Sequence, residues 1–265
     1  MTPLSTVSIA IGPVALTFRS GQKETLRQIR SMYPSFLTNK PVRPWTVDLL
    51  SLEKNRPAAA PFFRRKDNAL KLSWSRFDGD LDLSRRAGRL KIRSAGVLGT
   101  FLRVFLTHEL LELNGLLLHA AGALWEGKAA VFPGRSGSGK STISRLVPRA
   151  SLLSDEIILL YRKGTRWMAQ GTPFTGESPV HHNASGPLGR LVFLRKSARW
   201  DRQDIERPDA ARRLLRCTLF FGRNDPDYAR LLDIVRRLVG DVSASLLHFR
   251  PDLPPGRCLH DCCPL

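Results

Sequence analysis

Apolar and polar positions alternate along residues 6–18 (VSIAIGPVALTFR), β-branched residues are frequent, and Gly12-Pro13 interrupts the run. This predicts a strand or hairpin. Over residues 22–33 the period changes: Leu26, Ile29 and Met32 recur at helical spacing and predict one buried helical face. Alternation returns in WTVDLLSL (45–52), LKLSW (70–74), DLDLS (80–84) and RLKIRS (89–94), each read as a strand. Between them, NRPAAAPFFRRKDN (55–68) is Pro-rich and polar and predicts a loop.

The second part of the chain is patterned differently. Residues 97–113 are apolar almost throughout and long enough for a buried helix. LLLHAAGALW (116–125) predicts a buried strand, Glu126-Gly127-Lys128 a tight turn, and AAVF (129–132) a second strand. Beyond them, TISRLVPR gives a short helix stopped by Pro148, and SLLSDEIILLYR a strand passing through Asp155. RWMAQ (166–170) and RLVFLRK (190–196) read as strands flanking a long Gly/Pro/Ser-rich loop, 171–187. DAARRLLRC and DYARLLDIVRRLV predict amphipathic helices, and SASLLHFR a last strand. The expected organisation is an α/β (α+β mix) fold: an N-terminal α+β module over 1–95, a core over 96–250, and a flexible tail over 251–265.

Composition narrows the classes. The 265 residues are 42% hydrophobic and 25% charged, enough for a core of ordinary kind. No apolar run reaches membrane-spanning length, and the N-terminal stretch lacks a basic start. A cytoplasmic protein with no membrane partner is expected. The net charge of +19 raises nucleic acid as a partner. However, arginine is scattered (Arg27, Arg85, Arg103, Arg149, Arg190, Arg212, Arg236) and no nucleic-acid-binding signature accompanies it. An acidic protein or peptide suits the charge equally, and a homo-oligomer is compatible with the sequence. Cys217, Cys258, Cys262 and Cys263 are expected to be reduced thiols. The last three form one cluster with His260, and metal sites usually pair two clusters.

One motif changes the picture: Gly134-Arg135-Ser136-Gly137-Ser138-Gly139-Lys140-Ser141-Thr142, preceded by a strand and followed by a helix, is the context of a phosphate-binding loop. Its glycines let consecutive N–H groups face inward, and the helix start adds partial positive charge. Gly134, Ser136, Gly137, Ser138, Gly139, Lys140, Ser141 and Thr142 are the expected nucleotide contacts. Lys140 would reach the β- and γ-phosphates and the Ser141 hydroxyl would meet Mg²⁺. Asp155 and Glu156 follow closely, fourteen and fifteen positions after Ser141. One acid of the pair could hold Mg²⁺ and the other accept a proton from an attacking hydroxyl. His119, inside an apolar strand, reads either as a core histidine or as part of the site. The loop Gly171-Thr172-Pro173-Phe174, Gly176-Glu177 and His181-His182 is a third candidate zone, with His181-His182 a weak metal pair because adjacent side chains diverge.

Taken in order, LLLHAAGAL, GRSGSGKST, LLSDEIILL, GTPFTGE and RLVFLRKSARW resemble the HPr kinase/phosphorylase superfamily, whose nucleotide core is related to phosphoenolpyruvate carboxykinase. The resemblance runs over roughly residues 115 to 177, and the first ninety-odd residues look like the divergent N-terminal module of related kinases. It implies a P-loop kinase-like core using ATP and Mg²⁺. By resemblance Asp155 is the base for a serine hydroxyl, Glu156 a Mg²⁺ or charge-supporting acid, and His119 a contact of the transferring phosphoryl group. Glu156 stands where the family has Asp, one methylene further out, and the Gly-rich signature associated with dephosphorylation is not recognisable. The expected function is a kinase phosphorylating serine on a small protein or peptide, HPr-like or a ribosomal peptide such as a lasso precursor. The alternatives are a non-catalytic ATP-binding regulatory protein and, more remotely, a nucleic-acid-dependent ATPase.

Overall fold

A computed structural model describes residues 4–54, 57, 59–177 and 182–250. The tail 251–265, with Cys258, His260, Cys262 and Cys263, and His181 in the long loop lie outside the described residues. The fold is mixed α/β and divides into two compact units, Met1–Glu109 with Phe220–Tyr228 and Leu110–Leu219 with Ala229–Leu265.

The first unit is built on a seven-stranded sheet of β1 (Ser5–Ile11), β2 (Val14–Ser20), β3 (Trp45–Ser51), β4 (Phe62–Lys66), β5 (Ala69–Trp74), β6 (Phe77–Asp82) and β7 (Ala87–Ile92), in the order β1-β2-β3-β7-β6-β5-β4. Helix α1 (Lys23–Met32) buries Leu26 and Ile29, but Met32 sits at the surface. Tyr33, one position on, is buried instead. From the helix α2 (Leu98–Glu112), Phe101 and Phe105 stack at 5.7 Å and meet Phe18, Phe77 and Trp45 edge-on. This aromatic layer covers the apolar face of the sheet.

Strand β4 lies where a loop was expected. Its sequence, FFRRK, has no clean alternation, but it pairs antiparallel with β5 along its whole length, and its outer edge meets residues from far along the chain. The Phe63 N–H donates to Phe221 O at 2.9 Å, the Phe63 ring is buried against His108 and Phe220, and Arg223 lies 3.8 Å over the Phe62 ring.

On the opposite face, register alone brings seven residues into one row: Thr6, Arg19, Asp48, Arg89, Asp80, Lys71 and Arg64. Charges of opposite sign alternate from Arg19 to Lys71. Arg19 grips Asp48 with two bonds at 2.6 and 2.8 Å, and Lys71 bridges Asp80 at 2.8 Å and Asp78 at 3.0 Å. Cross-strand pairs of this kind stabilise a solvated face by a few tenths of a kcal/mol each, ~0.2–1.

Buried beneath the aromatic layer is one acid. Glu109 Oε2 accepts from Trp45 Nε1 at 2.7 Å and Arg86 Nη2 at 3.1 Å, while Oε1 lies 3.4 Å from His108 Nδ1, poorly aligned for a hydrogen bond. Burial pushes the Glu109 carboxyl up, but His108, Trp45 and the Arg86 charge together hold it below its ordinary 4.5.

The second unit is a nine-stranded sheet of β8 (Leu116–Trp125), β9 (Lys128–Pro133), β10 (Leu152–Ser154), β11 (Ile157–Lys163), β12 (Arg166–Gly171), β13 (Ser185–Lys196), β14 (Asp201–Asp204), β15 (Thr218–Leu219) and β16 (Ala244–Phe249). Helices α3 (Lys140–Leu146), α4 (Arg207–Leu215) and most of α5 (Asp225–Asp241) belong to this unit. β8 organises the sheet: it pairs antiparallel with β9 through Ala120–Trp125, with β11 through Leu116–His119 and with β10 at Gly122 and Ala123. β9 runs parallel to β13, and β13 parallel to β16, so the carboxyl ends of these three strands lie at one edge. No helix of the described residues is long and apolar enough to cross a membrane.

The Glu109 cluster generates a prediction with a definite sign. A carboxyl held low in the fold contributes stability that is present above its unfolded value and lost as pH falls through the lowered value. The melting temperature should therefore drop as pH falls below 4.5, and Glu109→Gln should flatten that fall. Glu109→Ala, which leaves Arg86 and Trp45 without their acceptor, should cost about 3–5 kcal/mol in denaturant titration.

Candidate functional site

The phosphate-type loop begins where β9 ends. The Gly134 N–H donates to His119 O at 3.1 Å, which fixes the loop's entry to β8. Gly137 and Gly139 have φ of 81° and 106°, a region that favours glycine, and a Cβ on Gly139 would strike the Phe249 ring. Ser138 N–H closes a turn on Arg135 O at 3.2 Å. The Ser138 Oγ is buried beside Gly134 with no hydrogen-bond partner among the described residues. Ser136 and Gly137 are exposed at the tip, and Ser141 and Thr142 are partly exposed on the first turn of α3.

Lys140 is only 7% exposed, and its Nζ donates to Arg135 O at 3.1 Å, across the loop. Burial lowers its pKa below the ordinary 10.5, and the charges of Glu156, Cys217 and Asp155 pull it partly back up. The ammonium thus stands within electrostatic reach of both acids.

Those acids do not sit inside a strand as expected. The strand breaks at Asp155-Glu156, between β10 and β11, because the Ser154 hydroxyl accepts the N–H groups of Glu156 and Ile157, both at 3.3 Å, and donates to Phe174 O at 3.2 Å. The Glu156 carbonyl meanwhile accepts the Ala120 N–H at 3.0 Å. Asp155 is 4% exposed and its Oδ1 accepts the Gly176 N–H at 3.0 Å. Glu156 Oε1 lies 3.2 Å from His119 Nε2, and both side chains keep about a third of their surface in solvent. His119, Asp155, Glu156 and Lys140 are therefore gathered around the loop.

The third zone lies over the acids. Thr172 Oγ1 donates to Ile157 O at 2.7 Å and Phe174 is buried. Gly176 is so close that a Cβ there would be 3.0 Å from Glu156 Oε2 and 3.1 Å from Asp155 Oδ2. Glu177 pairs with Arg145 of α3 at 3.2 Å, and the His182 ring is bonded to Leu152 O at 2.9 Å.

Gly176 lay in the third candidate zone, but three further contributors had no role assigned from the sequence. Ser154 and Phe249 act through local geometry, and only Ser154, a hydroxyl directly before two acids, carried a signal for it. The third, Cys217, was expected to be an ordinary reduced thiol. It is buried, its carbonyl accepts the His119 N–H at 2.7 Å, and its thiol pKa is pushed up by burial against the opposing charges of Lys140 and Arg135.

The donor set suits Mg²⁺: a Ser141 hydroxyl and the Asp155 and Glu156 carboxylates are hard oxygen ligands. The curled loop, with two glycines at positive φ, suits a polyphosphate.

No protein-family model matches the chain, and no curated protein sequence matches it. Among solved structures, the Hpr(Ser) kinase/phosphatase from Coxiella burnetii is similar over 46% of this chain and 94% of its own, at 13% identity and a TM-score of 0.25. At that level the likeness supports no functional assignment.

Two outcomes follow from the loop. Gly139→Ala forces a Cβ into Phe249 from a strained φ, and should abolish polyphosphate binding in calorimetric titration while leaving Gly164→Ala, at a turn with nothing within 4 Å, as a binding-competent control. Because the cationic form of Lys140 is the one that attracts phosphate, affinity should fall as pH rises toward its lowered pKa, beginning below 10.5. Lys140→Met should remove both the affinity and its pH dependence.

Proposed function

We propose that the chain is an ATP- and Mg²⁺-dependent phosphotransferase acting on a serine hydroxyl of a small protein or peptide. The observation that carries this reading is that Asp155 and Glu156 lie within electrostatic reach of the buried Lys140 of the loop, with His119 against Glu156. A nucleotide binder needs at most one acid beside the phosphates, on the metal side. A transferase needs a base and a metal-side acid there.

In this reading the loop amides and Lys140 hold the β- and γ-phosphates. Ser141 and Glu156 would hold Mg²⁺, which when bound neutralises charge on the phosphates. Asp155 takes the proton from the serine Oγ as the Oγ–P bond forms and the bond from the γ-phosphorus to the bridging oxygen breaks, so that ADP leaves. His119, held beside Glu156, faces the same space and can donate to the transferring phosphoryl oxygens. The acceptor is a small HPr-like protein or a ribosomal peptide such as a lasso precursor, a choice that comes from the sequence resemblance.

A second reading, a nucleotide-binding regulatory protein without transfer, is favoured by one feature: Asp155 is almost fully covered and already bonded to Gly176. Labelled ATP separates the two. Asp155→Asn should keep ATP affinity and lower phosphate transfer to a serine acceptor about 10²–10⁴-fold. Equal transfer by variant and wild type removes Asp155 from the base role, and ATP binding without product for any acceptor favours the regulatory reading.

A further inference from the structure

The phosphate loop has two flanks. One carries His119 and the acid pair, on β8 and the β10–β11 break. On the other, β9 is followed by its parallel neighbours β13 and β16, with Val131 level with Leu191 and Phe193 level with Leu246. Ligands of open α/β sheets bind outside the carboxyl ends of parallel strands. A triphosphate that turns its terminal phosphate toward the acids leads its nucleoside to this second flank.

The connection from β13 to β14 lies there. Its Ser197 N–H donates to Phe249 O at 3.0 Å, and its Ser197 Oγ accepts the Arg199 N–H at 3.2 Å. Phe249 is also the residue whose ring closes on Gly139, so one residue, through its carbonyl and its ring, links this connection to the loop. Trp200 packs against the cluster containing Phe132, Ile143, Val147, Leu247 and Phe249, yet keeps part of its surface in solvent. Lys196, level with Phe249 on the same face of the sheet, and Arg199 are exposed nearby in the chain, and neither forms an ion pair with a described residue. Several other arginines of this unit are paired, as Arg213 is with Asp209, Arg230 with Glu112 and Arg236 with Asp233, while Arg149, Arg166 and Arg216 are likewise exposed without an ion pair to a described residue.

We propose that Trp200 is the base platform of this nucleotide site: the purine stacks on its solvent-facing surface, and Lys196 and Arg199 supply the positive field that draws the polyphosphate in. The assignment rests on the phosphate-site reading above and adds to it the element that recognises a nucleoside rather than a bare polyphosphate. Stacking on an aromatic face requires no particular hydrogen-bond pattern, and the apolar cluster beneath fixes the indole in place.

The test titrates wild-type protein, Trp200→Leu and Trp200→Phe with MgATP and, separately, with Mg-tripolyphosphate, which has no base. Trp200→Leu keeps apolar packing and should weaken ATP about tenfold while leaving tripolyphosphate unchanged. Trp200→Phe, which retains an aromatic face, should keep most of the ATP affinity. Wild-type ATP affinity in Trp200→Leu overturns the platform alone. So does an equal loss of both ligands in that variant, because tripolyphosphate cannot report on stacking. Wild-type protein that binds neither ligand overturns the phosphate-site reading, and the platform with it.

Discussion

The single peptide group that joins His119 to Ala120 fixes the geometry of the whole site. The His119 carbonyl accepts the first N–H of the phosphate loop, and the Ala120 N–H is given to the carbonyl of Glu156. The His119 N–H is itself held by Cys217 O. Loop, acid pair and histidine are therefore referred to one stretch of β8 backbone. A strand buried among leucines and alanines cannot leave such groups unpaired without a cost of several kcal/mol, ~2–7. The demand that every buried N–H and C=O find a partner is thus also what keeps the acids near the loop.

Small residues refine what that strand fixes. The Ser154 hydroxyl replaces a strand neighbour for two N–H groups, so the chain can turn at Asp155-Glu156 and present both carboxylates. Gly176 lets backbone approach those carboxylates closely, and its N–H orients Asp155. Gly139 lets the loop sit on Phe249. Each position trades side-chain bulk for close approach, which is how a cluster of like charges can be held within a packed core.

Charge is handled in opposite ways by the two units. On the first, the sheet's solvent face intersperses Arg19, Asp48, Arg89, Asp80 and Lys71, so their fields largely cancel along the row. In the second, Lys140 is withdrawn from water and faced with acids, where the lower dielectric strengthens each interaction. A net charge of +19 therefore describes neither place well. What matters is which charges the fold pairs and which it leaves exposed.

By itself the sequence determined the elements whose signal is local: the hairpin around Gly12-Pro13, the long buried helix ending at Glu112, and the strand–loop–helix run through Lys140. Period, turn residues and the glycine spacing are properties of neighbouring positions, so they can be read along the chain. It also singled out His119, Asp155 and Glu156 as residues to watch, while leaving their arrangement open. Tertiary structure decided the rest. The strand at Phe62–Lys66 is a hairpin arm on Ala69–Trp74 whose outer edge is covered by residues near 221, and Tyr33 rather than Met32 is buried because the helix ends before a 3₁₀ turn that tucks the ring inward. The break at Asp155-Glu156 is made locally by the Ser154 hydroxyl, but the places of Gly176, Cys217 and Phe249 around the loop depend on contacts between residues tens of positions apart. Such contacts leave no periodic trace in a single sequence, because what selects each residue is the space and the unpaired group that a distant segment brings to it.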